Sequence, residues 1–213
     1  MVEKLFWSDP YLTELNTCIS TVNGNNLTVE QTIFYAFSGG QESDKGSIGG
    51  YSVLQAKKDV HEIIYTVEEG HRLHVGDVVT MNIDWNRRYR LMRLHFAAEI
   101  ILELSYKHLE GIEKIGAHIA EDKSRIDFLW HENISKSFLL IEQEFDEIIE
   151  ANLDITSAFS NEEEGRRYWE VKGFSQVPCG GTHLKKTGEV GKIRLKRNNI
   201  GKGKERIEIY LEN

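Results

Sequence analysis

Short stretches in which apolar and polar residues alternate dominate the first 88 residues of the chain. They are rich in Thr, Val, Ile and Tyr, and turn signals such as Asn23-Gly24-Asn25 separate them. Strands this short and closely spaced are typical of a small barrel or sandwich. The pattern therefore predicts a β-rich, barrel-like domain over residues 1–88, with strands at residues 17–22, 27–29, 32–35, 51–56, 62–67 and 78–83.

The pattern changes to a helical period after residues 84–88, which we interpret as the domain boundary. From Leu94 onwards, apolar side chains recur at the spacing of one helix face, which predicts a helix of about twenty residues. Ser135 is the expected N-cap of a second helix. A strand pair over 111–128, a polar surface segment over 161–167 and a closing strand pair at 190–196 and 206–211 complete the prediction. Residues 89–213 are thus expected to form an α+β domain.

The composition limits the class of protein. With 40% hydrophobic residues, 28% charged residues and 2 prolines among 213, the chain is expected to be globular and ordered. The first residues do not resemble a signal peptide, and no apolar run approaches the roughly 20 residues that span a bilayer. Cys18 and Cys179 do not make a disulfide framework. We therefore expect a soluble, cytoplasmic protein without a membrane partner.

The charge is unevenly distributed. The net charge is −8, yet residues 185–206 hold nine bases against two acids, so this segment carries +7 and the remainder −15. A local basic surface on an acidic body can contact phosphates. A solvated hairpin without a partner is the alternative. The bases are Lys185, Lys186, Lys192, Arg194, Lys196, Arg197, Lys202, Lys204 and Arg206.

Two residue pairs are candidates for metal binding. Cys179 and His183 flank a glycine-rich turn, and a thiolate with an imidazole favours zinc. His95 and Glu99 stand at i and i+4, so in a helix both side chains share one face. Either pair alone has a simpler structural explanation, since a buried cysteine beside a surface histidine is common. Together the two pairs could form one four-ligand zinc site.

A glycine-rich stretch at residues 37–50 interrupts the predicted strands. A flexible turn explains it, and so does a backbone that must approach a ligand closely. The sequence does not separate these two explanations.

Three motifs, in a fixed order and spacing, resemble those of the alanyl-tRNA editing proteins, the free-standing relatives of the alanyl-tRNA synthetase editing domain. The resemblance covers residues 15–210. Its motifs are Thr32-Ile33-Phe34-Tyr35-Ala36-Phe37-Ser38-Gly39-Gly40-Gln41 with Asp44-Lys45-Gly46, then Asp84-x-x-Arg87-Arg88 leading to Met92-Arg93-x-His95, and finally Cys179-Gly180-Gly181-Thr182-His183 with Thr187-Gly188-Glu189-Val190-Gly191 and Gly201-Lys202-Gly203-Lys204-Glu205-Arg206-Ile207.

The resemblance implies a barrel-like domain followed by an editing domain of the type known as the threonyl/alanyl-tRNA synthetase second additional domain. It also implies zinc-dependent hydrolysis, in trans, of tRNA for alanine that is mischarged with serine or glycine. The family uses two histidines in HxxxH and the Cys and His of CxxxH as zinc ligands. In this chain Glu99 replaces the second histidine. Glu99 could ligate the metal, stand off and leave a three-residue site open to water, or mark a weakened site.

The resemblance assigns roles to three groups of residues. Metal binding and catalysis fall to His95, Glu99, Cys179 and His183, with Glu99 either a ligand or a base. Binding of the terminal adenosine and the amino acid falls to Ser38, Gly39, Gly40, Gln41 and Thr182. Contact with phosphates of the tRNA acceptor stem falls to Lys185, Lys186, Lys192, Arg194, Lys196, Lys202 and Lys204.

Alternatives remain at this point. Hydrogen bonds within a turn would explain Gln41 and Thr182 equally well. A non-catalytic tRNA-binding module and an editing protein of threonyl-type specificity share most of the motifs, although the Gly39-Gly40-Gln41 stretch points to the alanyl branch.

Overall fold

The computed structural model describes residues 2–60 and 62–212. The backbone forms two compact units, Met1–Tyr89 and Arg90–Asn213. The predicted mixture of strands and helices is confirmed. In the part of the chain that is described, no helix is long and apolar enough to cross a membrane.

The first unit consists mainly of short strands. In chain order these are β1 (Glu3–Lys4), β2 (Glu14–Asn23), β3 (Asn26–Val29), β4 (Gln31–Thr32), β5 (Gly46–Ile48), β6 (Tyr51–Asp59), β7 (Glu62–Val67) and β8 (Val78–Ile83). Six of them pair in the closed order β2-β3-β7-β6-β5-β8, all antiparallel, while β1 pairs with β4 in parallel. Alternate side chains of β7, namely Ile63, Tyr65 and Val67, are buried in the core of this closed barrel.

The predicted strand at residues 32–35 is wrong, because β4 ends at Thr32. The backbone beyond it bonds to side chains instead of a neighbouring strand. The amide of Phe34 donates to Thr32 Oγ1 (2.9 Å), and the amide of Tyr35 donates to Asp44 Oδ2 (2.6 Å). With these groups satisfied locally, the segment needs no strand partner.

The first helix, α1 (Trp85–His108), begins earlier than predicted. The Asp84 carboxylate accepts a hydrogen bond from the amide of Arg87 at 3.1 Å, which is an N-cap contact. Residues 84–88 are therefore the start of the helix and not a connection before it. The division between the two units falls inside α1, after Tyr89.

The second unit contains two antiparallel sheets and a second helix. In chain order its elements are β9 (Glu113–Ile119), β10 (Ser124–Leu129), α2 (Phe138–Glu150), β11 (Ile155–Asn161), β12 (Arg166–Val171), β13 (Ser175–Pro178), β14 (Ile193–Gly201) and β15 (Lys204–Leu211). One sheet has the order β14-β15-β10-β9 and the other β11-β12-β13.

Two predictions for this unit are wrong. Ser135 does not cap α2; instead Asn133 Oδ1 accepts its amide hydrogen at 3.0 Å, and a 3₁₀ turn over Ile134–Ser137 precedes the helix. Residues 161–167 are not a plain surface segment, since they contain the hairpin that joins β11 to β12. Because the turn before it is strongly polar, the sequence pattern did not predict the strand β12. Its alternate residues Arg167, Trp169 and Val171 are buried.

Candidate metal centre

Three donor side chains from distant parts of the sequence meet in the second unit. The sulfur of Cys179 lies 3.4 Å from Nε2 of His95, which is 84 residues away in sequence, and 3.3 Å from Nε2 of His183. The donor atoms of all three residues lie within 4.8 Å of one another. Both histidines are buried, and their ring centres are 5.3 Å apart.

The secondary structure around these residues explains why they meet. His95 lies in the buried central part of α1. Cys179 directly follows β13, and its amide donates to the carbonyl of Arg167 at 2.9 Å, which extends the β12–β13 pairing by one residue. The glycine-rich turn that follows then brings His183 back towards the sulfur.

The orientation of His183 is fixed by Ser157 on β11. Its Oγ lies 3.0 Å from Nδ1 of His183, so Nε2 is the ring nitrogen that faces Cys179. A ligating histidine usually donates its other ring N–H in this way. Sequence reasoning did not single out Ser157, because an exposed serine in an unrecognised strand carries no signal by itself.

Glu99 adjoins the trio but is not a member of it. One carboxylate oxygen, Oε1, lies 3.2 Å from Nε2 of His95. The other, Oε2, accepts a hydrogen bond from the indole N–H of Trp169 at 3.3 Å. Trp169, which is fully buried on β12, is a second residue that sequence reasoning missed.

The two histidines of the cluster have pKa values shifted in opposite directions. Burial alone lowers the pKa of His95, but the negative Cys179 sulfur and the Glu99 carboxylate outweigh it and raise this pKa to about 10. Burial, reinforced by the positive charge of His95, lowers the pKa of His183 to about 3. Burial alone raises the pKa of Glu99, but its contacts with His95 dominate and lower it to about 2. His183 thus presents a free lone pair, whereas His95 must release a proton to bind a metal.

The spacing of the trio fits zinc. Tetrahedral bonds of about 2.3 Å to sulfur and 2.0–2.1 Å to nitrogen place neighbouring S and N ligands roughly 3.5 Å apart. The two measured separations from Cys179 are 3.4 and 3.3 Å. Two imidazoles and one thiolate also form a donor set that zinc prefers. His95, Cys179 and His183 are therefore suited to hold this metal.

Comparison with known proteins identifies the family of this chain. Residues 167–208 match the family model described as threonyl and alanyl tRNA synthetase second additional domain. The protein named alanyl-tRNA editing protein AlaX-M from Pyrococcus horikoshii is 35% identical over 216 residues, which cover 100% of this chain and 99% of the relative. The chain belongs to the alanyl-tRNA editing protein family.

Of two further relatives, one is an editing protein and the other is a synthetase. The AlaX-M protein of Saccharolobus solfataricus is 32% identical over 235 residues, covering 97% of this chain and 98% of the relative. The alanine–tRNA ligase of Methanococcus aeolicus is 30% identical over 228 residues, covering 97% of this chain and 25% of the ligase. The similarity to the ligase is therefore confined to one quarter of that larger protein.

The glycine motif of this alanyl-tRNA editing family member forms a tight turn in the first unit. Ser38 and Gln41 exchange backbone hydrogen bonds of 3.3 and 3.0 Å. Gly39 and Gly40 between them have φ values of +60° and +86°, a pair that L side chains rarely adopt. The turn therefore requires both glycines whether or not a ligand approaches. Gln41 is fully buried, and so is Thr182 in the second unit, with 1% of its surface exposed.

The basic residues divide into two classes. Arg197 binds Glu205 through two contacts of 2.5 and 2.7 Å, and Arg206 donates to Asp127 Oδ1 at 2.6 Å. These arginines are partly buried and neutralised by acids within the β14-β15-β10-β9 sheet. The seven residues that the charge distribution predicts to contact tRNA are all exposed, namely Lys185, Lys186, Lys192, Arg194, Lys196, Lys202 and Lys204.

Some of the seven exposed residues contact other side chains at the surface. Lys186 lies 2.8 Å from the exposed carboxylate of Asp154, and Arg194 lies over the ring of Tyr210 at 4.7 Å. An exposed ion pair such as that of Lys186 with Asp154 contributes little to stability, so a phosphate can replace the carboxylate at small cost.

Proposed function

We propose that the protein hydrolyses, in trans and with zinc, the aminoacyl ester of tRNA for alanine that carries serine or glycine. The observation that carries the proposal is the meeting of His95, Cys179 and His183 in a member of the alanyl-tRNA editing family. A tRNA substrate also implies a cytoplasmic location.

The reaction is an ester hydrolysis. A water oxygen adds to the ester carbonyl carbon, and the bond from that carbon to the ribose oxygen of the terminal adenosine breaks. One water proton passes to the ribose oxygen, the other is released to solvent, and the amino acid leaves as a carboxylate. A bound zinc ion supplies either a water of lowered pKa or polarisation of the carbonyl.

The residues of this chain have distinct tasks in that scheme. His95, Cys179 and His183 hold the metal, and Ser157 fixes the ring of His183 through its Nδ1 contact of 3.0 Å. Glu99 places a carboxylate oxygen 3.2 Å from Nε2 of His95, where it can accept a hydrogen bond from water.

Binding of the substrate falls to other groups. Ser38, Gly39, Gly40, Gln41 and Thr182 are proposed to contact the terminal adenosine and the amino acid. The seven exposed bases supply contacts to acceptor-stem phosphates, which position the tRNA without reading its sequence.

Serine and glycine are reasonable targets on energetic grounds. They differ from alanine by one hydroxyl or one methyl group, which gives a binding site only about 1–3 kcal/mol of discrimination. A second, hydrolytic site therefore improves accuracy where the first site cannot.

The test is a deacylation panel with serine, glycine, alanine and threonine esterified to tRNA for alanine, with zinc content measured on the same preparation. We expect about one zinc per chain and turnover of the seryl or glycyl ester but not of the alanyl ester. Turnover of the threonyl ester alone would assign a threonyl-type specificity. Tight tRNA binding without zinc or turnover would identify a binding module instead.

A further inference from the structure

The contact between Trp169 and Glu99 gives the carboxylate a fixed position. Trp169 is fully buried, and its ring meets the edge of Phe96 at 5.1 Å and stacks on Phe174 at 6.4 Å. A buried indole N–H requires an acceptor, and here that acceptor is Glu99 Oε2 at 3.3 Å. A side chain packed in this way has one orientation, so its hydrogen bond restrains the carboxylate.

Strand pairing places this contact beside the trio. Trp169 on β12 lies directly opposite Ser157 on β11, so both side chains emerge from the same face of the sheet. Ser157 contacts His183, and Trp169 contacts Glu99. One cross-strand pair therefore orients a residue on each side of the cluster.

The position of Glu99 differs from that of a fourth ligand. A tetrahedral ligand would lie roughly 3.5 Å from all three other donors. Glu99 is at 3.2 Å from His95, yet it does not join the group of donors that lie within 4.8 Å of one another. About 15% of its side chain is exposed, so Glu99 lies at the edge of the trio and is not fully enclosed.

We infer that Glu99 lies outside the ligand set of His95, Cys179 and His183, and that Trp169 is the positioning residue that holds its carboxylate at the edge of the site. This inference rests on the proposed function. In this arrangement a carboxylate oxygen accepts a hydrogen bond from the water that attacks the ester. The glutamate thereby takes a role in orienting water at the position where the family pattern has a metal-binding histidine.

Cobalt(II) substitution tests the placement without any assay of activity, because the absorption bands of cobalt depend on its ligands. The variants are Glu99→Gln, Glu99→Ala and Trp169→Phe. Glu103→Gln is the matched control, since Glu103 lies one turn further along α1 and accepts a hydrogen bond from Ser175 on β13 at 2.6 Å. We expect about one cobalt per chain in all four variants, with bands at unchanged wavelengths.

Kinetics and NMR test the positioning role. We expect Trp169→Phe to lower kcat for the seryl or glycyl ester by about 10–100-fold with little change in KM, as for other residues that orient a metal-site group. The indole ¹H–¹⁵N signal that disappears in Trp169→Phe should shift in Glu99→Ala and stay in place in Glu103→Gln. That signal also verifies that the Glu99 variants remain folded.

Displaced or weakened cobalt bands in Glu99→Gln would overturn the placement and make Glu99 a ligand. An unchanged kcat in folded Trp169→Phe would overturn the positioning role. A wild-type protein that binds cobalt but hydrolyses none of the esters would overturn the proposed function. In that case, unchanged bands in Glu99→Gln together with the shifted indole signal in Glu99→Ala would still support the placement.

Discussion

Arg88 and Asp44 form an ion pair whose side chains are both completely buried in the first unit. Nε of Arg88 donates to Asp44 Oδ1 at 2.8 Å, and Nη2 donates to Asp44 Oδ2. Nη1 donates to the carbonyl of Pro10 at 2.8 Å, and Nη2 also donates to the carbonyl of Ile33 at 2.6 Å. Asp44 in turn accepts the amide of Tyr35. The pair therefore joins three separate segments of the chain to the start of α1.

Replacing Asp44 by Ala should destabilise the first unit by about 3–5 kcal/mol, because the guanidinium of Arg88 would remain buried without its counter-charge. Glu42→Gln is the control. Glu42 pairs with Arg87 at 2.7 Å but is 32% exposed, so its loss should cost less than about 1 kcal/mol. The measurement is the free energy of unfolding in urea. Equal losses in the two variants would contradict the argument.

Cys179→Ala should abolish zinc binding and lower the rate of deacylation by at least about a hundredfold, because a catalytic metal contributes several kcal/mol. The far-UV circular dichroism should not change. The chain supplies its own control in Cys18→Ala, since Cys18 lies in the first unit and its sulfur makes a long contact of 3.8 Å with the carbonyl of Ile19. Full turnover by folded Cys179→Ala would refute a metal-dependent mechanism.

Zinc affinity should increase with pH. The pKa of His95 is raised to about 10, so between about pH 7 and 10 a metal must displace the proton from this imidazole. Because one proton is displaced for each metal bound, the apparent zinc affinity should rise about tenfold for each pH unit in this range. His183, with its pKa lowered to about 3, is neutral over this range and adds nothing to the slope. Competition with a chelator at several pH values measures the effect, and a flat profile would contradict it.

Lys202→Gln should weaken the binding of tRNA regardless of which amino acid it carries, and should reduce the slope of log affinity against log salt by about one. Lys136→Gln is a suitable control, because Lys136 is also exposed in the second unit but lies outside residues 185–206. The salt dependence of binding should be measured for both variants. Equal effects of the two changes would mean that the attraction is general and not local to this segment.

Sequence reasoning performed best where a residue pattern reports directly on geometry. The alternation of β7 and β8 gave their ends as the structure has them, because each strand has one buried face. The i and i+4 spacing of His95 and Glu99 placed both on one side of α1, where they are in contact. Helical periodicity and strand alternation are local properties, so the sequence contains them.

Sequence reasoning did not predict the role of a residue where that role depends on a partner far away in the chain. Asp44 accepts the amide hydrogen of Tyr35, where the sequence predicts a strand, and no pattern next to either residue indicates this contact. Trp169 could have been noticed, because Arg167, Trp169 and Val171 alternate with more exposed neighbours, yet the acidic turn before them masked the strand. Its hydrogen bond to Glu99 connects residues 70 apart and follows only from the fold.

The pairing of Arg197 with Glu205 and of Arg206 with Asp127 has an evolutionary consequence. These ion pairs join neighbouring strands of the sheet, whereas the exposed lysines of residues 185–206, here called rim lysines, attract polyanions from a distance. A rim lysine can be gained or lost without breaking an internal pair. The surface charge of this segment can therefore change among homologues while the ion pairs of the sheet stay the same.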